Sequence, residues 1–330
     1  MSWLKSSIAI VATTLLATAI LVTQSVVALA VDPFPSRPIR IIANSAPGAL
    51  LDATVRAVAE RMADDLGRAI IIDNRTGANG LIGIRYVKSQ PADGYTILAT
   101  ANTIAQLPAL TREPGYDLVR DFVGVGMMNQ APLIMVGTVN QWDKTLAELI
   151  SNAKANPGKL IYATAGVGTS THMAATLLLY QAGLKVLHVP YKGNAAAMPD
   201  VLSGRVNFIF DGGNSAGPHV RDGRLRAFGI SSPKRSAAFP EIPTLAEQGL
   251  PDYSFFVYLG LVAPAATPND VVQRLAKALR FALASDSVRD RFRRDGADAG
   301  NTTSESFTEY LRQDMLRTIK VAAEMGLAKE

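Results

Sequence analysis

The sequence predicts an α/β protein of two lobes, and three observations carry that prediction. Short β-branched and apolar runs alternate with helical patterns along almost the whole chain. The runs are near-continuously hydrophobic, as in parallel-rich sheets flanked by helices on both faces. Two longer apolar runs, Val123–Val136 (VGVGMMNQAPLIMV) and Phe255–Ala263 (FFVYLGLVA), have no helix immediately attached. They read as two strands crossing between the lobes.

The first thirty residues stand apart. Met1-Ser2-Trp3-Leu4-Lys5 carries one positive charge, and Ser6 to Ala30 carries none. Ala28-Leu29-Ala30 is a small-x-small site ahead of the polar Val31-Asp32-Pro33, the pattern of a cleavable secretory signal peptide. An uncleaved anchor is the alternative, because the uncharged run is long enough to span a bilayer. Either way the rest of the chain is expected outside the cytoplasm.

Beyond it, strand Arg40–Ala43 leads through Asn44-Ser45-Ala46-Pro47-Gly48-Ala49 into the helix Ala53–Leu66. Further strands are expected at Ala69–Asp73, Tyr95–Thr100, Leu133–Val136, Lys159–Thr164, Val186–Pro190, Val206–Asp211 and Arg226–Ser231. A helix-rich tail, Pro268–Ala328, follows the second crossing. The economical division is a signal peptide at 1–30, lobe 1 at 31–130, lobe 2 at 131–254, and a return to lobe 1 at 255–330. Two crossings make a hinge and leave a cleft between the lobes.

Composition removes several function classes. The 330 residues are 48% hydrophobic and 18% charged, which fits a globular chain and argues against disorder. There is no cysteine, so disulfides, thiol nucleophiles and cysteine metal sites are excluded, as is a lipid anchor at the cleavage site. Losing residues 1–30 removes only Lys5 and leaves 32 basic against 28 acidic residues, a charge of +4. The one dense basic spot, Arg289 to Arg294, is broken by Asp290 and has no aromatic ladder. It reads as a solvated helix face rather than a nucleic-acid surface.

Catalytic patterns fail one by one. Gly213-Asn214-Ser215-Ala216-Gly217 follows a strand and matches the nucleophile elbow of a secreted serine hydrolase. Yet the last histidine, His219, lies only four residues beyond Ser215, on the same local turn. Gly166-Val167-Gly168 begins like a dinucleotide fingerprint, but Thr171 stands where the third glycine belongs. His172, His188 and His219 have no metal-ligand spacing, so neither metal nor cofactor is expected. What remains is a set of strand-to-helix turns rich in glycine and hydroxyls: Ala46–Ala49, Ala165–His172 and Asp211–Ser215. Pointed into one cleft, such turns suit an anion held by helix N-termini and neutral donors; ordinary capped loops are the alternative.

Short motifs in a fixed order then carry a family resemblance. They are Phe34-Pro35-Ser36-Arg37-Pro38-Ile39-Arg40, Ala46-Pro47-Gly48 with Asp52, and Asn74-Arg75-Thr76-Gly77-Ala78-Asn79-Gly80-Leu81-Ile82-Gly83. Pro91-Ala92-Asp93-Gly94-Tyr95-Thr96, His188-Val189-Pro190-Tyr191-Lys192-Gly193, Phe210-Asp211, Lys234-Arg235-Ser236 and Ile242 to Gly249 follow. The chain resembles the Bug receptors, the extracytoplasmic solute-binding proteins of tripartite tricarboxylate transporters, over essentially all of residues 34–330. The resemblance implies a periplasmic-binding-protein fold, type 2-like, acting as a monomer that closes on a small carboxylate. It implies delivery to a permease with one large and one small membrane subunit, or presentation of the closed form to a membrane signalling partner as a sensor.

Carried onto this chain, the ligand contacts fall on Ser45, Pro47, Gly48 and Ala49 in lobe 1. In lobe 2 they fall on Gly168, Thr169, Ser170, Thr171 and Asp211. Asp211 is either an acceptor for a ligand hydroxyl or amine, or a helix N-cap. Three departures stand out: Ala49 in a Pro-Gly-Gly turn, Asn79 for a glycine, and Thr176 where a glutamate is common. The unusual first-loop residues Asn44, Ser45 and Ala49 are expected to set ligand preference.

Overall fold

The structure is a computed structural model that describes residues 33–294 and 296–327; the predicted signal peptide lies outside the described residues. The body from Arg37 onward clusters as one unit. In chain order its elements begin β1 (Ile39–Ala43), α1 (Leu50–Leu66), β2 (Ile70–Asn74), α2 (Leu81–Lys88), β3 (Thr96–Ala101), α3 (Thr103–Leu110) and α4 (Leu118–Asp121). There follow β4 (Phe122–Thr138), α5 (Leu146–Ala155), β5 (Ile161–Thr164), α6 (Ser170–Ala182), β6 (Leu187–Pro190), α7 (Asn194–Leu202), β7 (Phe208–Gly212), α8 (Gly213–Arg221) and β8 (Leu225–Ile230). The chain closes with β9 (Phe256–Pro264), α9 (Asn269–Ala284), α10 (Asp286–Arg294), β10 (Asp298–Ala299) and α11 (Ser304–Glu324).

The strands run in the order β2-β1-β3-β9-β4-β7-β5-β6, with β8 and β10 also pairing β4. The two ends are parallel, β1 between β2 and β3, and β5 between β6 and β7. The middle is antiparallel: β9 pairs β3 and β4, and β4 pairs β7 and β8. The expected two parallel-rich sheets are thus the two ends of one hydrogen-bonded path. The reason is the crossing itself, since a strand that leaves a lobe and one that returns must run in opposite directions. Strand β4 is 17 residues long. It pairs β9 from Phe122 to Pro132 and β7 from Leu133 to Val136.

Alternation shows why the strands read as unbroken apolar runs. In the second lobe Leu133, Met135, Phe208 and Phe210 face one core with α6, while Ile134, Val136 and Ile209 face another with α7 and α8. The first lobe's core joins Ile42, Leu98, Phe122 and Val262 to α2 and α3. Helix α1 buries Leu51, Val55, Val58, Met62 and Leu66, one stripe at three- and four-residue spacing, and stops at Gly67 in the left-handed conformation.

Helix α11 joins both lobes. Its Phe307 and Leu311 lie in the first lobe's core, and its Val321 and Ala322 lie in the second's, against the core that holds Met173 and Leu177. Two strands were expected to cross; a helix spans the junction beside them. Where it does so, Tyr258 donates to the buried Asp314 (2.9 Å), and Arg317 bonds both Asp314 (2.7 Å) and the Ser254 carbonyl (3.0 Å).

Candidate functional site

The first loop is held by its own helix. Asp52, in the first turn of α1 and 3% exposed, accepts from the Gly48 N–H (2.8 Å), from Arg56 Nε (3.0 Å) and from Asn74 Nδ2 (2.8 Å). The Arg56 bond, aided by the Gly48 and Asn74 donors, holds this carboxyl at about 2 against the cost of burial. Asn74 also reaches the Ser45 carbonyl (3.1 Å). Gly48 takes the positive φ of 79° that the turn needs, and Ala49 sits at an ordinary −66°, so its methyl costs the backbone nothing. Asn44 faces inward: its amide donates to Thr100 (3.1 Å), and a Cβ on Gly83 would lie 2.8 Å from the Asn44 Cβ. Asn44 therefore packs β1 against α2.

The second turn is held by a histidine stack. His172, His188, Tyr162 and Phe208 lie ring on ring, with successive centroids 4.6, 4.8 and 5.6 Å apart. His172 Nδ1 accepts from the Gly168 N–H (3.2 Å), and His188 Nε2 bonds Thr164 (2.7 Å). Burial, and secondly the His188 ring, pushes His172 down to about 4; burial also lowers His188. Both rings are thus neutral at pH 7. Thr169 caps α6, accepting from the His172 N–H and donating to the Gly166 carbonyl (2.7 Å). Thr171 accepts from the Ala165 N–H (3.0 Å), and Ser170 lies 3.5 Å from Asn102.

Asp211 closes β7. One carboxylate oxygen accepts from Asn194 Nδ2 (2.7 Å) and the Gly212 N–H (2.8 Å), and the other accepts from the Ser215 hydroxyl (2.6 Å). The N-cap of α8 is Gly212, with Asp211 one residue before it. Ser215, the elbow serine of the sequence pattern, therefore ties the first turn of α8 to Asp211.

These turns meet at a cavity of about 220 Å³. Of the nine expected contact residues, Thr171 and Asp211 line it, and Leu50 enters directly after the Pro47-Gly48-Ala49 turn. Ser45, Pro47, Gly48, Ala49, Gly168, Thr169 and Ser170 are not part of its lining, and Pro47 and Gly48 are exposed on the first loop. Further lining comes from Asn194, Gly213 and Asn214 in lobe 2, and from Asn129, Val257 and Leu259 on the crossing strands. The signal for Asn129 was present in the sequence, as a polar Asn-Gln pair inside the apolar run of β4. Helices α1, α7 and α8 have no side-chain cap at their N-termini, and a first-turn residue of each lines this cavity. Among the described residues no group of histidine and acidic side chains could hold a metal, and no helix is long and apolar enough to cross a membrane.

A two-lobed α/β body with a cavity walled by helix starts and by its own crossing strands defines a receptor that holds a small solute. Residues 54–327 match the tripartite tricarboxylate transporter family receptor, TctC. Protein BugT of Bordetella pertussis is 31% identical over 297 residues, 89% of this chain and 91% of that protein. The solved structure of R. palustris Rpa4515 with adipate matches with a TM-score of 0.76 at 30% identity, over 90% of this chain and all of that one. MatC from Rhodopseudomonas palustris with bound malate matches with a TM-score of 0.73 at 27% identity, over 87% and 99%. The chain belongs to the TctC family, the Bug receptors, and its fold is theirs.

Proposed function

We propose that this chain is a periplasmic receptor that captures a small carboxylate between its lobes, closes on it by hinge motion, and delivers it to a tripartite-type permease. One observation carries the reading: α1, α7 and α8 start without a side-chain cap, and a first-turn residue of each lines a single cavity, an arrangement that attracts an anion. The adipate and malate in the two related structures support the same ligand class. Holding, rather than reaction, fits a site where Ser215 gives its hydrogen bond to Asp211 and where His172 and His188 stack neutral on each other. Export by cleavage after Ala30 and a monomeric state complete the proposal.

We divide the lobes at 31–130 with 255–330, and at 131–254. The exchange of partners along β4, from β9 to β7 after Pro132, supports that division, and the last turns of α11 reach over it. The test is thermal-shift screening of the purified protein against a panel of carboxylic acids. A ligand at about 100 times its dissociation constant adds roughly 2.7 kcal/mol to the folded state. If no carboxylate raises the melting temperature, the receptor reading fails.

A further inference from the structure

We infer that Asn129 sets which acids the cavity accepts: its side-chain amide donates to an acceptor group at the end of the ligand away from the helix starts, a second carboxylate above all; this rests on the carboxylate reading above. Asn129 interrupts the apolar run of β4, is 3% exposed, and lines the cavity. Its amide has no hydrogen-bond partner among the described residues. A buried amide left unpaired weakens a fold, so this one is explained by a partner that arrives with the ligand. Its backbone is pinned on both sides, by β9 at Leu259 and by β10 at Ala299, so the side chain is held at a fixed place on the floor.

Elimination among the donors points the same way. No lysine, arginine or histidine is among the described residues that line the cavity, so a second carboxylate meets neutral donors. Asn194 commits its amide to the Phe210 carbonyl (3.0 Å) and to Asp211 (2.7 Å). The Gly212 N–H and the Ser215 hydroxyl are likewise held by Asp211, which occupies the start of α8. Thr171 shares its hydroxyl with Thr169 (3.1 Å) and accepts from the Ala165 N–H. Asn214 is exposed, where water serves its amide. That leaves the starts of α1 and α7, one from each lobe, for the first carboxylate. Asn129, on the strand that crosses between them, remains for the second.

The test is calorimetric titration of the purified protein with matched acids, succinate against butanoate and adipate against hexanoate. Wild type is expected to bind the better diacid roughly tenfold or more tighter than the monoacid of the same chain length. Asn129→Leu fills the amide's space and Asn129→Ala empties it; each is expected to cut that preference roughly tenfold. A monoacid that wild type binds as tightly as its diacid, or a preference unchanged in either folded variant, overturns the inference while the carboxylate reading stands. Where another acid of the wider panel binds tightest, it and its analogue lacking the second acceptor replace the pair; if it has no second acceptor, the inference fails. If no acid of any kind binds, both fail. Gln130→Leu, one residue along and on the opposite face of β4, is expected to leave the ratio unchanged. An equal fall there makes the effect one of the strand as a whole and overturns the contact. Without ligand, Asn129→Leu is expected to melt at the wild-type temperature or a few degrees above it. A fall of several degrees assigns the amide to the fold instead and overturns the inference.

Discussion

Replacing Asp52 by Asn tests whether the first loop is held by charge. The side chain keeps its size, but the carboxylate that serves Gly48, Arg56 and Asn74 loses its ionic character. Its folded value of about 2 lies below the ordinary 3.8, so the ionised form stabilises the fold. The displacement of nearly two units corresponds to about 2 kcal/mol at neutral pH. Because the folded value is depressed, this contribution is fully present above about pH 4 and is lost as pH falls through about 2. Chemical denaturation of wild type and variant, followed by circular dichroism from pH 7 to pH 3, reads the difference directly. The gap should be about 2 kcal/mol at pH 7 and shrink to roughly half by pH 3. A gap under about 0.5 kcal/mol at pH 7, or one that does not change with pH, refutes the charge latch; the first value is that of an ordinary surface substitution.

Two further outcomes follow from the same geometry. His172→Phe keeps the ring stack but leaves the Gly168 N–H without its acceptor, and should cost about 1–3 kcal/mol at pH 7. Since burial lowers His172 to about 4, wild type loses stability as pH falls from 6.5 toward 4, and the variant's melting curve should fall less steeply over that window. Ala78 adopts a φ of +48°, in the left-handed region, so Ala78→Gly should raise stability by about 0.5–1 kcal/mol in thermal melts.

Much of the fold was legible because its inner strands are largely buried on both faces and so appear as apolar runs of distinct length. The nine strands read from sequence fall within a few residues of their places, and the two long runs are β4 and β9. Asn79 stands where the resemblance has a glycine, and its φ of +53° is a conformation that Asn tolerates. The site was harder to read because glycine and hydroxyl turns serve both ligands and helix caps, and residue type does not separate the two. Thr169 and Gly168 are engaged in capping and in holding His172, while Asn194 and Leu259 come to the cavity through partners distant in sequence, Asp211 and Asn129. Asn102 shows the limit most clearly. It bonds the Phe256 carbonyl and the Tyr258 N–H, partners more than 150 residues away that no local pattern announces.

The crossing strands connect site and hinge by simple alternation. At the register Asn129↔Leu259 and Ala131↔Val257, side chains face the ligand cavity. Gln130, paired with Tyr258, and Phe256 belong to the other face, where a second cavity of about 300 Å³ is bounded by Tyr310, Asp314 and Arg317 of α11. The floor that touches the solute on one side is therefore fastened to the lobe-spanning helix on the other. The hinge closure proposed above would change β4–β9 twist and, with it, the Tyr258–Asp314–Arg317 contacts. Because Tyr258 is fully buried and Asp314 nearly so, those contacts have discrete partners to keep or lose, which favours defined open and closed positions over a continuous range.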